Sequence, residues 1–265
     1  MSKSYAICYN SLMENSKDVM DELRNILLGY GVKSDLVSID DLKSGYDFVF
    51  VIGGDGTILK AARFYSKYDT PIFGINLGRL GFLSQASRDN LKFAVKQIIS
   101  DNYKVEKRMM LKSQNNVALN DFVIKGEVSS RTSRFALQIN DKFVCEYLAD
   151  GIIISTPTGS TAYGMAAGGP VLSPEVDAIV IVPICPHTFS ARPIVVSGND
   201  KIKILSCPNQ NYIVSADGQD VFKFSSDLII EKSNNCAKLA LLNGNDFYSV
   251  LRNKLHWGLS PACSK

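Results

Sequence analysis

The sequence predicts an N-terminal doubly wound α/β domain followed by a C-terminal all-β sandwich, with a C-terminal helix packing back on the first domain. Three observations lead to this prediction. Apolar strand-like runs alternate with helical stretches early in the chain, short β-prone segments dominate from residue 105 onward, and helical periodicity returns at the end. We therefore expect an α/β domain over residues 1–104, a β-sandwich domain over 105–245 and a helical tail over 246–265.

The N-terminal region alternates strands with helices. After Asn15 or Ser16, apolar residues recur at the spacing of one helical face. The continuous apolar run at 47–52 is typical of a parallel strand buried on both faces. The predicted elements are a strand at 5–9, a helix from 15 or 16 that Gly29 and Gly31 end, a strand at 47–52, a helix over 58–68, a strand at 71–75 and a helix from 89 or 90 through 99.

The middle of the chain consists of short β-prone segments separated by turn signals such as SGND at 197–200. Such spacing is typical of a β-sandwich. One helix is predicted inside this region, beginning at Gly159, and the tail helix has apolar residues at Phe247, Val250 and Leu251. The β-prone segments are 116–124, 134–140, 142–148, 151–156, 178–184, 192–196, 201–206, 211–216 and 227–232.

Composition narrows the class of protein. Apolar residues make up 46% and charged residues 21% of the 265 residues, which excludes a disordered or fibrous chain. The net charge of +3 is far below the basic excess of a nucleic-acid-binding protein. No apolar run approaches the roughly 18 residues that cross a bilayer, and the first residues lack the apolar core of a signal peptide. We expect a cytoplasmic protein without nucleic-acid or membrane partners.

The cysteines and histidines do not form a metal site in the sequence. The six cysteines are scattered without a C-x-x-C pair, and there are only two histidines. A zinc site or a disulfide framework would need tighter spacing. We expect reduced thiols that act as small hydrophobic residues, and we assign no metal-ligating residue.

A glycine-rich turn, GGDGT at 53–57, joins the second predicted strand to the helix after it. Glycine lets backbone N–H groups approach phosphate oxygens closely, and the start of a helix adds the positive end of its dipole. The turn matches neither the G-x-x-x-x-G-K-[ST] pattern nor G-x-G-x-x-G, because residue 59 is leucine. We predict a phosphate-binding turn of another kind, formed by Gly53, Gly54, Gly56 and Thr57.

Asp55 lies between the glycines of this turn. A carboxylate would repel a phosphate that the turn only binds. The residue makes chemical sense if it accepts the proton of a hydroxyl that attacks the phosphate. A D-G pair is also common in ordinary turns, but the strand-turn-helix context favours the catalytic interpretation.

A second polar cluster lies in the β region. Residues 118–121 read ALND, and residues 150–163 read DGIIISTPTGSTAY. The Gly-Ser-Thr turn opens a predicted helix, where free N–H groups can bind a ribose or a phosphate. Ser160 or Thr161 is equally well explained as a helix cap. A Ser-His hydrolase is disfavoured, since no nucleophile elbow surrounds Ser160 and His187 is the only plausible histidine partner.

Together these motifs closely resemble the NAD kinase family. The resemblance covers nearly the whole chain and also includes NLGRLGFL at 76–83, ADGQ at 216–219 and the tail around Lys254. GGDGT alone is shared with diacylglycerol, sphingosine and phosphofructokinase-like kinases. The block STPTGSTAY at 155–163, joined to VPICPHTFSARP at 182–193, is far more specific.

The resemblance implies an α/β domain followed by a β-sandwich, and ATP-dependent phosphorylation of NAD at the adenosine ribose 2′-hydroxyl to give NADP. It also implies a divalent cation such as Mg²⁺, and a cytoplasmic homo-oligomer, often a tetramer, in which a neighbouring subunit supplies part of the NAD pocket. Asp55 resembles the catalytic base. The residues that the resemblance assigns to NAD binding are Asp55, Gly56, Asn120, Asp121, Arg131, Asp150, Thr161, Ala162, Tyr163 and Gln219.

These NAD-binding residues would have different roles. The Asn120–Asp121 pair holds the adenosine, and Asp150 lies near the nicotinamide. The turn at 161–163 contacts adenine, with the Tyr163 ring stacked on the base, although Tyr163 could instead fill a core layer. Gln219 is a late polar contact, and Arg131 corresponds to a residue reached from another subunit.

Three residues depart from the family pattern and affect fine geometry rather than the reaction. Asp121 is one methylene shorter than the usual Glu, Leu148 replaces an Arg found in many members, and Ala166 replaces a common Ser.

Two other functions stay open at this point. A lipid or sphingoid kinase of the same superfamily would need an apolar groove or a membrane-facing patch, and the sequence has no basic amphipathic stretch to supply one. A non-catalytic NAD(P)-binding sensor would not need Asp55.

Overall fold

The computed structural model describes residues 3–78, 81–128, 132–207, 210–224 and 226–257. The chain divides into two compact units, Met1–Lys107 with Ala237–Lys265, and Arg108–Cys236. The helices are α1 (Ser16–Gly29), α2 (Asp55–Tyr65), α3 (Leu91–Ile99), α4 (Tyr163–Ala166) and α5 (Phe247–Leu255). The strands are β1 (Tyr5–Tyr9), β2 (Ser34–Ser38), β3 (Phe48–Ile52), β4 (Ile72–Asn76), β5 (Ser84–Ser87), β6 (Tyr103–Arg108), β7 (Leu111–Ser113), β8 (Asn116–Ala118), β9 (Asp121–Gly126), β10 (Ser133–Ile139), β11 (Lys142–Ala149), β12 (Gly151–Ser155), β13 (Ala178–Ile184), β14 (Ile194–Ser197), β15 (Ile202–Leu205), β16 (Tyr212–Ala216), β17 (Asp220–Phe224), β18 (Leu228–Lys232) and β19 (Ala237–Leu242).

The first unit is built on a mainly parallel sheet. Over the described residues its strands lie in the order β2-β1-β3-β4-β19-β6, and β5 also pairs with β4. β1 pairs in parallel with β2 and β3, and β4 pairs in parallel with β3, β5 and β19. The apolar run of β3 is buried along its whole length, as expected of a strand covered on both faces.

Helices cover both faces of this sheet, which confirms the predicted doubly wound α/β fold. Phe50 of β3 packs in one core cluster with side chains of α1 and α3. Val51 points to the other face and is equally buried, because side chains alternate along a strand. α2 lies against that face, where a Cβ on Gly74 of β4 would be only 2.5 Å from Ile58 Cδ1.

The second unit is an antiparallel β-sandwich, as predicted. Within the described chain one sheet has the order β11-β10-β15-β18-β7-β8 and the other the order β14-β13-β12-β9-β16-β17. Their facing side chains, such as Phe135 and Leu137 from the first sheet and Ile152 and Ile154 from the second, form one core. The opposite face of β9, β12 and β13 is also apolar, and Leu172 packs against it.

Two expectations need correction. The predicted boundary at residue 245 falls too late, since Ala237–Leu242 belongs to the first unit, where Leu239 of β19 is paired with Ile72 of β4. The helix predicted from Gly159 is also not continuous. A 3₁₀ turn over Thr158–Thr161 is separated from the four-residue α4 by Ala162, whose φ of −100° and ψ of −130° are not helical.

Candidate active site

The glycine-rich turn connects β3 to α2. Gly54 is the N-cap of α2, so the helix begins at Asp55, earlier than predicted. The Gly53 N–H donates to the carbonyl oxygen of Ile75 in β4 at 2.9 Å. A Cβ on Gly53 would lie 2.5 Å from Thr57 Oγ1, so only glycine lets the chain pass this close to the first helical turn. Close packing thus shapes the turn.

The carboxylate of Asp55 is held by backbone donors of a second loop, between β4 and β5. The Phe82 N–H donates to Asp55 Oδ2 at 2.9 Å, and the Leu83 N–H donates to Oδ1 at 3.3 Å. A Cβ on Gly81 would lie 1.8 Å from Oδ1. Asp55 is half-buried.

The loop that binds Asp55 is itself fixed by short polar side chains. Ser84 Oγ accepts from the Gly81 N–H at 2.7 Å, and Asn76 Oδ1 accepts from the Gly78 N–H at 2.8 Å. Asn76 and Ser84 are both buried at the ends of the strands that flank the loop. The loop corresponds to the NLGRLGFL motif, of which Arg79 and Leu80 lie outside the described residues.

In the second unit, Asp121 begins β9, Asn120 directly precedes it, and Asp217 holds the backbone of both residues. Asp217 Oδ1 accepts from the Asn120 N–H at 2.7 Å and from the Asp121 N–H at 3.2 Å, and Oδ2 accepts from the Leu119 N–H at 2.9 Å. The Asp217 N–H donates in return to the Asp121 carbonyl oxygen at 2.9 Å. One carboxylate therefore fixes three consecutive peptide groups of the predicted adenosine site.

Asp121 is the one buried acidic residue in the described part of the chain, with 4% of its surface exposed. Burial, and secondarily the nearby Asp217 carboxylate, raise the pKa of Asp121 to about 7. Both causes disfavour the charged form. A substantial fraction of Asp121 is thus protonated near neutral pH, where it can donate a hydrogen bond as well as accept one.

The segment that follows β12 packs on the backbone of Asn120. The Thr156 N–H donates to the Asn120 carbonyl oxygen at 2.8 Å, and Ser155 Oγ donates to the same oxygen at 3.2 Å. Gly159 lies so close that a Cβ would be 2.2 Å from that oxygen. Residues 156–159 (TPTG) therefore pack against the 119–121 segment. Position 159 must be glycine because its backbone approaches the Asn120 carbonyl group so closely.

The predicted adenine-contacting residues, 161–163, come shortly after residues 156–159 in the sequence. Thr161 is buried and donates from Oγ1 to the Thr158 carbonyl oxygen at 3.2 Å, a side-chain hydrogen bond within the 3₁₀ turn. Tyr163 is 38% exposed, and Lys125 Nζ lies 5.6 Å from its ring centroid. An aromatic ring so exposed does not fill a core layer, which removes that alternative for Tyr163.

The remaining predicted site residues are more dispersed. Gln219 is exposed in the turn between β16 and β17, two residues after Asp217. Asp150 is exposed just before β12, whereas Ser155 beside the Asn120 cluster ends that strand. Asp150 and Ser155 are five positions apart in the sequence, which corresponds to about 17 Å along an extended strand. Arg131 lies outside the described residues.

The departures from the family pattern lie on this unit too. Leu148 is half-buried in β11, and its carbonyl oxygen accepts from the His187 N–H at 2.8 Å. Ala166 is exposed at the end of α4. Neither side chain places a charge near Asp150.

Sequence reasoning missed three positioning residues. Asp217 lies within the quoted ADGQ motif, and its placement before a glycine was a usable signal for a special turn; its φ is +51°. The donors of Phe82 and Leu83 are backbone N–H groups, which every residue except proline has, so the sequence gives no sign of them.

The described residues contain no cluster of three or more His, Cys, Asp or Glu side chains that could hold a metal ion.

Comparison with known proteins identifies the family. Family models of the ATP-NAD kinase N-terminal and C-terminal domains match residues 9–103 and 119–242. An NAD kinase from Azotobacter vinelandii is 42% identical over 254 residues, which span 91% of this chain and 85% of the relative. An NAD kinase from Thermoanaerobacter sp. strain X514 is 41% identical over 259 residues, which span 92% of this chain and 90% of the relative.

Solved structures share this fold. The crystal structure of an NAD kinase from Archaeoglobus fulgidus in complex with ATP is similar with a TM-score of 0.81 and 28% identity, covering 96% of this chain and 98% of that one. A yeast NADH kinase complexed with NADH has the same fold, with a TM-score of 0.88, 23% identity and coverage of 100% and 91%. As its motifs predict, the chain belongs to the NAD kinase family.

Proposed function

We propose that this chain transfers the γ-phosphate of ATP to the adenosine ribose 2′-hydroxyl of NAD, giving NADP, with Asp55 as the general base. Family membership supports the reaction. The observation that carries the role of Asp55 is its fixed carboxylate, which accepts from the Phe82 and Leu83 N–H groups at the first turn of α2. A lipid kinase and a non-catalytic sensor gain no support from the comparisons.

The hydrogen bonds of Asp55 suit a base. Each carboxylate oxygen has two acceptor sites, and the two backbone donors use one on each oxygen. The remaining sites are available to a hydroxyl proton. Since phosphoryl transfer depends mainly on positioning and charge neutralisation, the base orients the attacking hydroxyl and takes its proton late in the reaction. A well-placed base contributes about 10²–10⁴ in rate.

The glycine-rich turn would bind the phosphate groups of ATP. Gly53, Gly54, Gly56 and Thr57 surround the N-terminus of α2, where helix N–H groups and the dipole attract anions. For the divalent cation, the described residues offer no ready-made carboxylate cage. We propose that Mg²⁺ enters bound to the ATP phosphates, as is usual for this ion, and reduces their negative charge.

The residues around Asn120 in the second unit would bind the adenosine half of NAD. Asn120 and Asp121 would hydrogen-bond the adenosine, with Asp217 fixing their backbone. The half-exposed Tyr163 ring would stack on adenine, beside Thr161 and Ala162. Gln219 would add a polar contact from the neighbouring turn. Because Asp121 is one methylene shorter than Glu, its contact would be longer or bridged by water.

Asp150 requires a different arrangement. It lies about 17 Å along β12 from the Asn120 cluster, so the two do not contact the same half of NAD. We propose that the chain forms a homotetramer, in which Asp150 of a second copy contacts the nicotinamide half of NAD. Arg131 would likewise contribute to the NAD site of a neighbouring subunit. Size-exclusion chromatography with light scattering tests this assembly.

We propose the cytoplasm as the compartment. The described cysteines, Cys8, Cys145, Cys185, Cys207 and Cys236, are free thiols, which suits a reducing environment. No helix among the described residues is long and apolar enough to cross a membrane.

A panel of acceptors tests the reaction. The purified full chain is mixed with ATP, Mg²⁺ and either NAD, diacylglycerol or sphingosine, and NADP is detected by a coupled dehydrogenase. We expect NADP formation and no lipid phosphorylation. Lipid phosphorylation without NADP would instead support the lipid-kinase alternative, and NAD binding without product would support the sensor.

A further inference from the structure

The C-terminal helix α5 contacts the same loop that holds Asp55, within the first unit. Lys254 Nζ lies 5.0 Å from the centroid of the Phe82 ring, a distance at which an ammonium group is attracted to an aromatic ring. The backbone N–H of Phe82 is one of the two donors to the Asp55 carboxylate. Phe82 therefore connects a side chain of α5 to the side chain of Asp55.

A second contact from the same part of the chain reaches β5, the strand that follows this loop. Asn245, just before α5, donates from Nδ2 to the carbonyl oxygen of Gln85 at 3.4 Å and to its Oε1 at 3.3 Å. The start of α5 is fixed by a capping box, in which the Ser249 N–H donates to Asp246 Oδ1 at 2.9 Å and the Asp246 N–H donates to Ser249 Oγ at 3.3 Å. The helix thus begins at a defined residue.

The donors of Phe82 and Leu83 need such support because their direction depends on the backbone torsions of a loop. Phe82 lies outside any strand or helix and is half-buried. A change of about 1 Å in the position of a catalytic group can cost about 10²-fold in rate. Lys254 is exposed, so its side chain is not needed for the core of the unit.

We propose that Lys254 is a positioning residue for phosphoryl transfer. Through its contact with the Phe82 ring it fixes the backbone N–H groups that orient the Asp55 carboxylate. This inference rests on the proposed role of Asp55 as the base. It differs from a direct role in binding ATP, in which the ammonium group would pair with a phosphate and its loss would raise KM for ATP.

The test uses steady-state kinetics of the full-length variants Lys254→Met and Lys254→Arg, with Arg252→Met on the same helix as a matched control. We expect Lys254→Met to lower kcat by roughly three- to tenfold, in keeping with a partly exposed cation-π contact, while KM for NAD and for ATP changes less than twofold. Lys254→Arg should restore most of kcat, and Arg252→Met should be close to wild type.

A double-mutant cycle with Phe82→Leu tests whether Lys254 acts through the ring. We expect the double variant to be no slower than the slower single variant. In an Asp55→Asn background, Lys254→Met should cause no further loss. An unchanged kcat, a raised KM for ATP, or fully additive losses would overturn the inference. An active Asp55→Asn enzyme would instead overturn the proposed function, whatever the Lys254 variants do.

Discussion

The backbone N–H of Phe82 donates a hydrogen bond to Asp55 Oδ2 across 2.9 Å, which joins the first turn of α2 to the loop between β4 and β5. The carboxylate is therefore held in place by the fold before any substrate binds. This preorganisation is what a base needs, since the reacting hydroxyl then meets an acceptor that does not have to reorient.

Gly81 tests the importance of this arrangement. A Cβ on Gly81 would lie 1.8 Å from Asp55 Oδ1, so Gly81→Ala must push the carboxylate or the loop aside. We expect kcat to fall by about 10²-fold, with a smaller change in KM for NAD. The control is Gly78→Ala in the same loop, where a Cβ meets nothing within 4 Å. Equal effects of the two substitutions on kcat would contradict the account.

Asp217→Asn removes the charge that holds the 119–121 segment. Three backbone donors lose a charged acceptor, and hydrogen bonds to charged groups contribute about 1.5–3 kcal/mol each. We expect KM for NAD to rise by roughly tenfold or more, with a smaller change in KM for ATP. Asp227→Asn is the control, because Asp227 Oδ1 also accepts from a backbone N–H, that of Ser206, outside the site. The prediction fails if Asp227→Asn raises KM for NAD as much.

Tyr163 allows a test of adenine stacking. Stacking of a base on an aromatic ring contributes about 1–3 kcal/mol, so Tyr163→Ala should weaken NAD binding by roughly tenfold or more. Tyr163→Phe keeps the ring and should bind nearly as well as wild type. Because the ring is 38% exposed, the melting temperature should change little in both variants. A lower melting temperature with unchanged NAD affinity by calorimetry would instead indicate a structural role.

The raised pKa of Asp121 predicts a pH-dependent stability. The folded pKa is about 7, above the ordinary value of 3.8, so the unfolded chain ionises this group first as pH rises. This residue's contribution to the free energy of unfolding is fully present below about pH 4 and is lost as pH rises to about 7. Asp121→Asn lacks this titration.

Denaturant unfolding of wild type and Asp121→Asn measures this effect. From pH 5 to pH 8, wild type should lose at most about 3 kcal/mol relative to the variant. A difference in unfolding free energy that does not change with pH would show that Asp121 ionises at its ordinary pKa. Wild type gaining stability relative to the variant would reverse the sign of the shift.

Elements with a distinct local sequence pattern could be predicted from the sequence alone. The helical face predicted after Asn15 became α1, with Val19, Met20, Leu23 and Leu27 buried, and the apolar run at 47–52 became the buried strand β3. Strand β5 (SQAS) has no apolar run and was not predicted, because its pairing with β4 defines it.

The rest depends on contacts between distant parts of the chain. The return of Ala237–Leu242 to the first sheet is set by pairing with β4 rather than by any local feature. The three hydrogen bonds of Asp217 join residues 96 to 98 positions apart. The predicted helix is interrupted at Ala162, whose backbone torsions are not helical, and Gly159 packs closely on the backbone of Asn120. The sequence GSTAY reveals neither feature. The predicted role of Asp55 stays a prediction.

The most direct test of that role compares the rate of NADP formation by wild type and Asp55→Asn, with NAD affinity measured on the same samples by calorimetry. Because Asn keeps the size of the side chain but cannot take the proton, we predict a loss of about 10²–10⁴ in kcat with NAD affinity nearly unchanged. An Asp55→Asn enzyme that turns over within a few-fold of wild type would contradict the account.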